Sequence, residues 1–293
     1  MQLQQASRKK AKLKCALQGP SGSGKTKSAL LIAYGLCGAW DKIAVIDTEN
    51  NSADLYADLG AYKTLSLEPP YSPERYIEGI DICLGAGIEV IIVDSTSHEW
   101  DFLLDYHSSL TGNTFTNWAK VTPRHEAFVN KVLQANAHVI ATIRSKQEYV
   151  LSEKNGKQVP EKVGMKGVQR ENLEYEFTVV LELDMLHRAK TSKDRTGLFG
   201  GKPEFIPTVQ TGIALLEWCN LGVDAPHIVT CEDMQKLIKA CATTKELNTL
   251  YHAHPKYQQT LNHEFAVRNE QLKTIVNQTN PQQNGTTSSY QPN

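Results

Sequence analysis

The chain has 293 residues, 40% of them apolar, with 31 Lys and Arg against 32 Asp and Glu, a net charge of −1. That length supports one α/β domain and an appendage, and no apolar run approaches the roughly 18 residues of a membrane span. The balanced charge excludes a global electrostatic footprint for nucleic acid, so any such contact is confined to local patches.

The opening "MQLQQASRKKAKLK" is polar and basic and lacks the apolar segment of a secretory signal. Six cysteines, at 15, 37, 83, 219, 231 and 241, show no C-x-x-C or paired metal spacing. Reduced thiols and a cytoplasmic setting are therefore expected. "KLKCALQ" reads as a buried strand, followed by "GPSGSGKT" at 19–26 and a helix over "TKSALLIAYGLC". "KIAVID" (42–47) is a second strand, "SPERYIEGIDICLGAG" (72–87) has helical spacing, and "EVIIVD" (89–94) is a third strand. A helix over "PRHEAFVNKVLQANA" (123–137) leads into strand "HVIATI" (138–143). Continuously apolar strands alternating with helices predict an α/β fold, a mostly parallel sheet covered on both faces.

Residues 144–170 hold seven Lys or Arg against three Glu, and Gly156, Pro160, Gly164 and Gly167 predict a mobile basic loop. A second basic patch is "RKKAKLK" at 8–14. Strand "FTVVLELD" (177–184), a turn-rich stretch at 188–201 and a closing helix "TGIALLEWC" complete a core over 12–222. Residues 228–274 read as a small helical module. From 275 to 293 the chain is Gln/Asn-rich and too poor in apolar residues to offset its ordering entropy, so a disordered tail is expected.

Gly19, four residues, Gly24, Lys25 and Thr26, set between a strand and a helix, make a phosphate-cradling loop. Its binding set is Gly19, Pro20, Ser21, Gly22, Ser23, Gly24, Lys25, Thr26 and Lys27. Backbone N–H groups and the helix N-terminus face the phosphates. Lys25 is expected to reach the β and γ phosphates of ATP, and Thr26 to hold Mg²⁺ with Asp94, which ends "VIIVD". Hydrolysis needs a carboxylate near the γ phosphate; Glu49 in "VIDTEN" is the first choice and Glu99 in "DSTSHEW" the rival. His98, His107 and His125 have no companion at metal spacing and read as surface or hydrogen-bonded histidines.

These residues carry a resemblance. "AVIDTEN" resembles the RecA pattern in which a glutamate two residues after an aspartate is the catalytic base. "VIIVDSTS" is similar to the metal-binding strand of that family and "VIATIRSK" to its sensor strand, with Thr142 where the sensor glutamine falls. "GMKGVQRENLEYEFTVVLELD" follows the basic loop as RecA's core strand follows its second DNA-binding loop. The likeness spans roughly residues 12–219 and is closest to the compact RecA-like ATPases of phages and prophages, some of which are single-strand annealing recombinases. It implies a RecA-like P-loop NTPase core, in a bacterial host if phage-encoded.

"KDRTG" resembles the Lys-x-Arg hairpin of hexameric RecA-fold proteins such as DnaB-type helicases, which implies that Lys193 and Arg195 complete a neighbour's site in a ring or filament. Single-stranded DNA is then expected at 144–170, with Tyr149 for base stacking, and at 98–120, where Phe115 and Trp118 sit where a first DNA loop lies. The C-terminal module is expected to contact a protein partner. Two other readings stay open: a nucleotide-gated loader or scaffold with negligible turnover, and a P-loop small-molecule kinase.

Overall fold

The computed structural model describes residues 10–154, 157–170, 173–222 and 231–279, and the chain divides into two compact units at Ala225 and Pro226. In the first unit β1 (Lys14–Gly19) leads into α1 (Lys25–Cys37), then β2 (Ile43–Asp47), β3 (Lys63–Ser66), α2 (Pro73–Gly85) and β4 (Val90–Asp94). Two helices follow, α3 (Ser97–Ser109) and α4 (Thr114–Gln134). Then come β5 (His138–Lys154), β6 (Lys157–Gly167), β7 (Val179–Leu183), β8 (Ala189–Asp194) and α5 (Val209–Asn220).

The main sheet runs β3-β2-β4-β5-β1-β7-β8 and is parallel except where β8 pairs antiparallel with β7. Period-two alternation sends each central strand's apolar side chains to both faces. Val90 and Ile92 of β4 join Leu17, Val45, Leu30, Ile32 and Leu215 in one core, against α1 and α5. Ile91 and Val93 join Ile46, Tyr76, Ile80, Phe128 and Val132 in the other, against α2 and α4. This two-sided burial is why β2 and β4 read as unbroken apolar runs. β1 and β2, consecutive in the chain, are separated in the sheet by β5 and β4. The connections therefore diverge beyond the carboxyl ends of the strands, and a crevice opens there.

Several elements differ from the sequence reading. Residues 98–120 are not a loop: α3 covers most of the first half, and Asn113 caps α4 by accepting from the N–H of Phe115 at 2.8 Å. α4 starts nine residues before the expected position and carries Pro123 in its interior. The basic stretch 144–170 is not an irregular loop either, because β5 continues past the sheet and pairs with β6 from Ser145↔Gly167 to Lys154↔Lys157. Asn155-Gly156, a two-residue hairpin signal, lies between those strands in sequence and outside the described residues, as do the side chains of 147–166, Tyr149 among them. The turn-rich 188–201 contributes β8.

The second unit holds α6 (Cys231–Ala240), α7 (Thr244–Ala253), α8 (Pro255–Gln258) and α9 (Asn262–Thr279). They enclose a small core of Met234, Ile238, Leu247, Tyr257, Leu261, Phe265 and Leu272. Thr243 caps α7 by accepting from the N–H of Glu246 at 3.2 Å. α9 continues to Thr279, past the start of the expected tail at 275; residues 280–293 lie outside the described residues. All six cysteines are free thiols. Among the described residues no helix is long and apolar enough to cross a membrane.

Candidate functional site

The loop after β1 is shaped by two glycines at φ +82°, Gly22 and Gly24, a conformation other residues adopt only with strain. Gly24 is the residue before α1, so the first amides of that helix open into the crevice. Lys25 folds back over the loop and donates from Nζ to the carbonyls of Gly19 (3.0 Å) and Pro20 (2.9 Å). Burial holds its pKa below the usual lysine range against the pull of Asp94 and Glu49, and Arg144 lowers it further. Ser23 Oγ is fully buried and has no hydrogen-bond partner among the described residues.

Asp94, 1% exposed at the end of β4, accepts from Thr26 Oγ1 on Oδ2 (2.6 Å) and from Thr142 Oγ1 on Oδ1 (2.5 Å). Burial raises its pKa more than those two hydroxyls lower it, and the charges of Glu49 and Asp47 add to the rise. A cis peptide joins Asp94 to Ser95. On the next strand, Asp47 turns the chain by accepting from the N–H groups of Glu49 (2.6 Å) and Ala53 (2.8 Å). This turn brings Glu49 to the crevice, where Arg144 grips it in a bidentate pair: Nε to Oε1 at 2.6 Å and a closer Nη2 to Oε2 contact. Burial alone pushes the Glu49 carboxyl up, but the hydrogen bonds and charge of Arg144 reverse this and hold it below the usual range.

A cavity of about 610 Å³ has Lys25, Thr26, Asp94, Glu49 and Arg144 among its walls and reaches Ile206, Pro207 and Thr208 before α5. Such a volume suits a small ligand. Ser21, Gly22, Gly24 and Lys27 also face it, whereas Gly19 and Pro20 border a neighbouring cavity of about 440 Å³. The residues fit a phosphate chain with a divalent cation. The glycine cradle, the buried unpartnered Ser23 hydroxyl and Lys25 suit the phosphates, and the adjoining oxygens of Thr26 and Asp94 suit a hard cation.

Glu99 is elsewhere. It is fully buried, faces His125 Nδ1 at 3.1 and 3.2 Å, and burial raises its pKa against the pull of that histidine and Gln169. His98 bonds Thr48 Oγ1 (2.8 Å) and stacks on Tyr71 at 4.9 Å, while His107 stacks on Trp118 at 4.1 Å. Trp118 in turn stacks on Trp100 at 6.0 Å, and Phe115 is exposed. Lys193 and Arg195 do not line the cavity. Both donate to the carbonyl of Tyr175, Arg195 at 3.2 Å, and Lys193 also reaches Glu174 O at 3.3 Å. Between them Asp194 shapes the turn, accepting from the N–H groups of Thr196, Gly197, Phe199 and Gly200 at 2.7–3.2 Å.

A family model described as an AAA domain matches residues 11–206, from just before β1 to the wall of the cavity. The chain belongs to that family. No curated protein matches it. The AAA domain is thus a nucleotide-binding P-loop NTPase core, and P-loop ATPases of this kind bind ATP, typically with Mg²⁺. Two wall residues of the AAA domain were not legible as site residues. His187, at φ +62° in the β7–β8 turn, packs so closely on Gly24 that a Cβ there would lie 2.9 Å from its Nδ1. Arg144 directly follows the apolar run "HVIATI", and only its place at the carboxyl end of a parallel strand, where ligand sites collect, could have marked it.

Proposed function

We propose that the chain is an ATP-hydrolysing RecA-like protein that works on single-stranded DNA, in phage-type recombination or annealing, as an oligomer. The observation that carries this reading is the position of Glu49: this carboxylate, not Glu99, shares the cavity with Lys25, Thr26 and Asp94. In the proposal Lys25 neutralises phosphate charge, Thr26 and Asp94 hold Mg²⁺, and Glu49 accepts the proton of the attacking water. Lys193, near the end of β8, and Arg195, just after it, lie away from their own cavity, which suits service at a neighbour's γ phosphate. The basic β5–β6 hairpin and the aromatic α3–α4 pair are the proposed DNA contacts, and the second unit a proposed protein contact. ATP hydrolysis with and without single-stranded DNA, at low and moderate salt, tests the reading: DNA should raise turnover several-fold, and an unchanged rate counts against it.

A nucleotide-gated loader with little turnover is the second reading. It is favoured by Thr142, whose hydroxyl is engaged by Asp94 and whose side chain is fully buried. In that case nucleotide drives assembly while hydrolysis stays slow whatever DNA is added.

A further inference from the structure

Both oxygens of Glu49 are taken by Arg144. A carboxylate locked into a guanidinium fork is a weak acceptor for a water proton, because its lone pairs are directed at the cation and its pKa is held down. The pair is not sealed, since the Arg144 side chain keeps 41% of its exposure and lines the cavity beside Lys25 and Thr26. A terminal phosphate there carries more charge than one carboxylate and offers oxygens that match the same planar fork.

The backbone of Arg144 lies at a structural junction. Gly19↔Arg144 is the last parallel pair of β1 with β5, and Ser145↔Gly167 is the first antiparallel pair of the β5–β6 hairpin. The Arg144 N–H donates to Ser97 Oγ (2.9 Å), and its carbonyl accepts from the N–H of Val168 (2.6 Å). On the return stem Gln169 is buried and donates from Nε2 to the carbonyl of Thr96, two residues past Asp94, at 3.0 Å. Both stems of the hairpin are therefore anchored on the segment that follows Asp94, and the outgoing stem carries the clamp on Glu49.

We infer that Arg144 is a positioning residue that holds Glu49 out of reaction and releases it when the guanidinium turns to a terminal phosphate, which couples nucleotide state to the hairpin 145–167. The inference rests on Glu49 being the base. Lys25, Asp47, Tyr76, Asp94, His98 and Asp101 are the other ionisable groups around the pair, and all stay in place in the variants below.

The test is a carbon-13 NMR titration of glutamate side-chain carboxyls in the full chain, with the Glu49 signal assigned by its loss in Glu49→Gln. In the nucleotide-free wild type Glu49 should titrate below the ordinary glutamate range. In Arg144→Gln it should titrate at higher pH, and in Arg144→Lys, which keeps the charge without the fork, in between. A non-hydrolysable ATP analogue with Mg²⁺ should raise the Glu49 titration of the wild type, and ADP should not. In turnover, Arg144→Gln should raise DNA-independent kcat at least threefold, move the acid limb of the pH–rate profile upward and abolish stimulation by DNA. A Glu49 titration indifferent to the analogue, in a protein that Glu49→Gln inactivates, overturns the gate and leaves the base assignment standing. Full turnover in Glu49→Gln overturns both. A tenfold lower kcat in Arg144→Gln with an unmoved acid limb means that the guanidinium acts on the reacting phosphate, and also overturns the gate.

Discussion

The hydroxyl of Thr26 donates to Asp94 Oδ2 across 2.6 Å, which joins the first turn of α1 to the end of β4 where a cation would sit. Asp94 is nearly inaccessible to solvent, and burial disfavours its charge. Its carboxylate is therefore poorly accommodated until a cation arrives. Asp94→Asn should lower ATP turnover by about 10²-fold or more, the scale of removing one group that stabilises transition-state charge. Its thermal midpoint without nucleotide should stay within a few degrees of wild type. Mg²⁺ titrations of hydrolysis, with calorimetry of the free protein, check both halves; unaltered Mg²⁺ dependence would move the metal elsewhere.

The two candidate bases separate by surroundings. Glu49→Gln should keep nucleotide binding and lose turnover, because the amide cannot take a proton from water. Glu99→Gln should stay within about threefold of wild type, because Glu99 lies against His125 outside the cavity. Binding of a fluorescent ATP analogue and steady-state hydrolysis, measured on both variants, decide. Loss of turnover in Glu99→Gln alone reverses the assignment.

Arg195 is exposed and its guanidinium donates to the carbonyl of Tyr175, while its backbone N–H, which an alanine keeps, donates to that of Thr178, so truncating the side chain leaves the core intact. Arg195→Ala should reduce turnover by about 10-fold or more if it serves a neighbour, since a trans arginine contributes about 10³ or more where it has been measured. Mixing Arg195→Ala with Glu49→Gln, each impaired for a different reason, should restore part of the activity. A mixture that stays at the sum of its components places Arg195 outside the reaction.

Lys154, Lys157 and Lys162 belong to β5 and β6. If the hairpin grips DNA, replacing all three by alanine should weaken single-strand binding and flatten the slope of log affinity against log salt by about two units, at roughly 0.7 for each phosphate that a lysine neutralises. Anisotropy titrations at several salt concentrations give that slope, and an unchanged one removes the hairpin as the grip.

The core was legible because its strands are buried on both faces: "CALQ", "AVID" and "IIVD" leave no periodicity to misread, and the glycine spacing fixes the loop between β1 and α1. β3 was not legible. At the sheet edge it needs no apolar run, and Lys63, Thr64 and Ser66 are exposed. α3 escapes a sequence reading for a related reason, since it buries only Ser97, Glu99 and Leu103. Pro123 misleads more directly. It reads as a helix start, yet Asn113 provides the cap and the proline lies mid-helix. The clamp between Arg144 and Glu49 joins residues 95 positions apart, which only the placement of β5 near β2 brings together.

His138 begins β5, is 4% exposed, and accepts the N–H of Leu13 on Nδ1 at 3.0 Å. That bond requires an unprotonated Nδ1, so the ring is neutral with its proton on Nε2. Burial, then the charges of Lys12 and Lys14, lower its pKa from 6.5 to about 4. The unfolded chain takes up a proton near 6.5 and the folded chain only near 4, so the contribution is complete above the first value and lost as pH falls through the second. At about 1.4 kcal/mol per unit the loss approaches 3 kcal/mol. Other groups also titrate in this window, so the informative quantity is a difference. His138→Asn offers an amide oxygen to the same N–H and does not titrate. Urea unfolding at pH 7 and pH 4 should show the wild type losing about 2–3 kcal/mol more than this variant. Equal losses would mean that His138 is protonated without penalty and that Leu13 finds another acceptor.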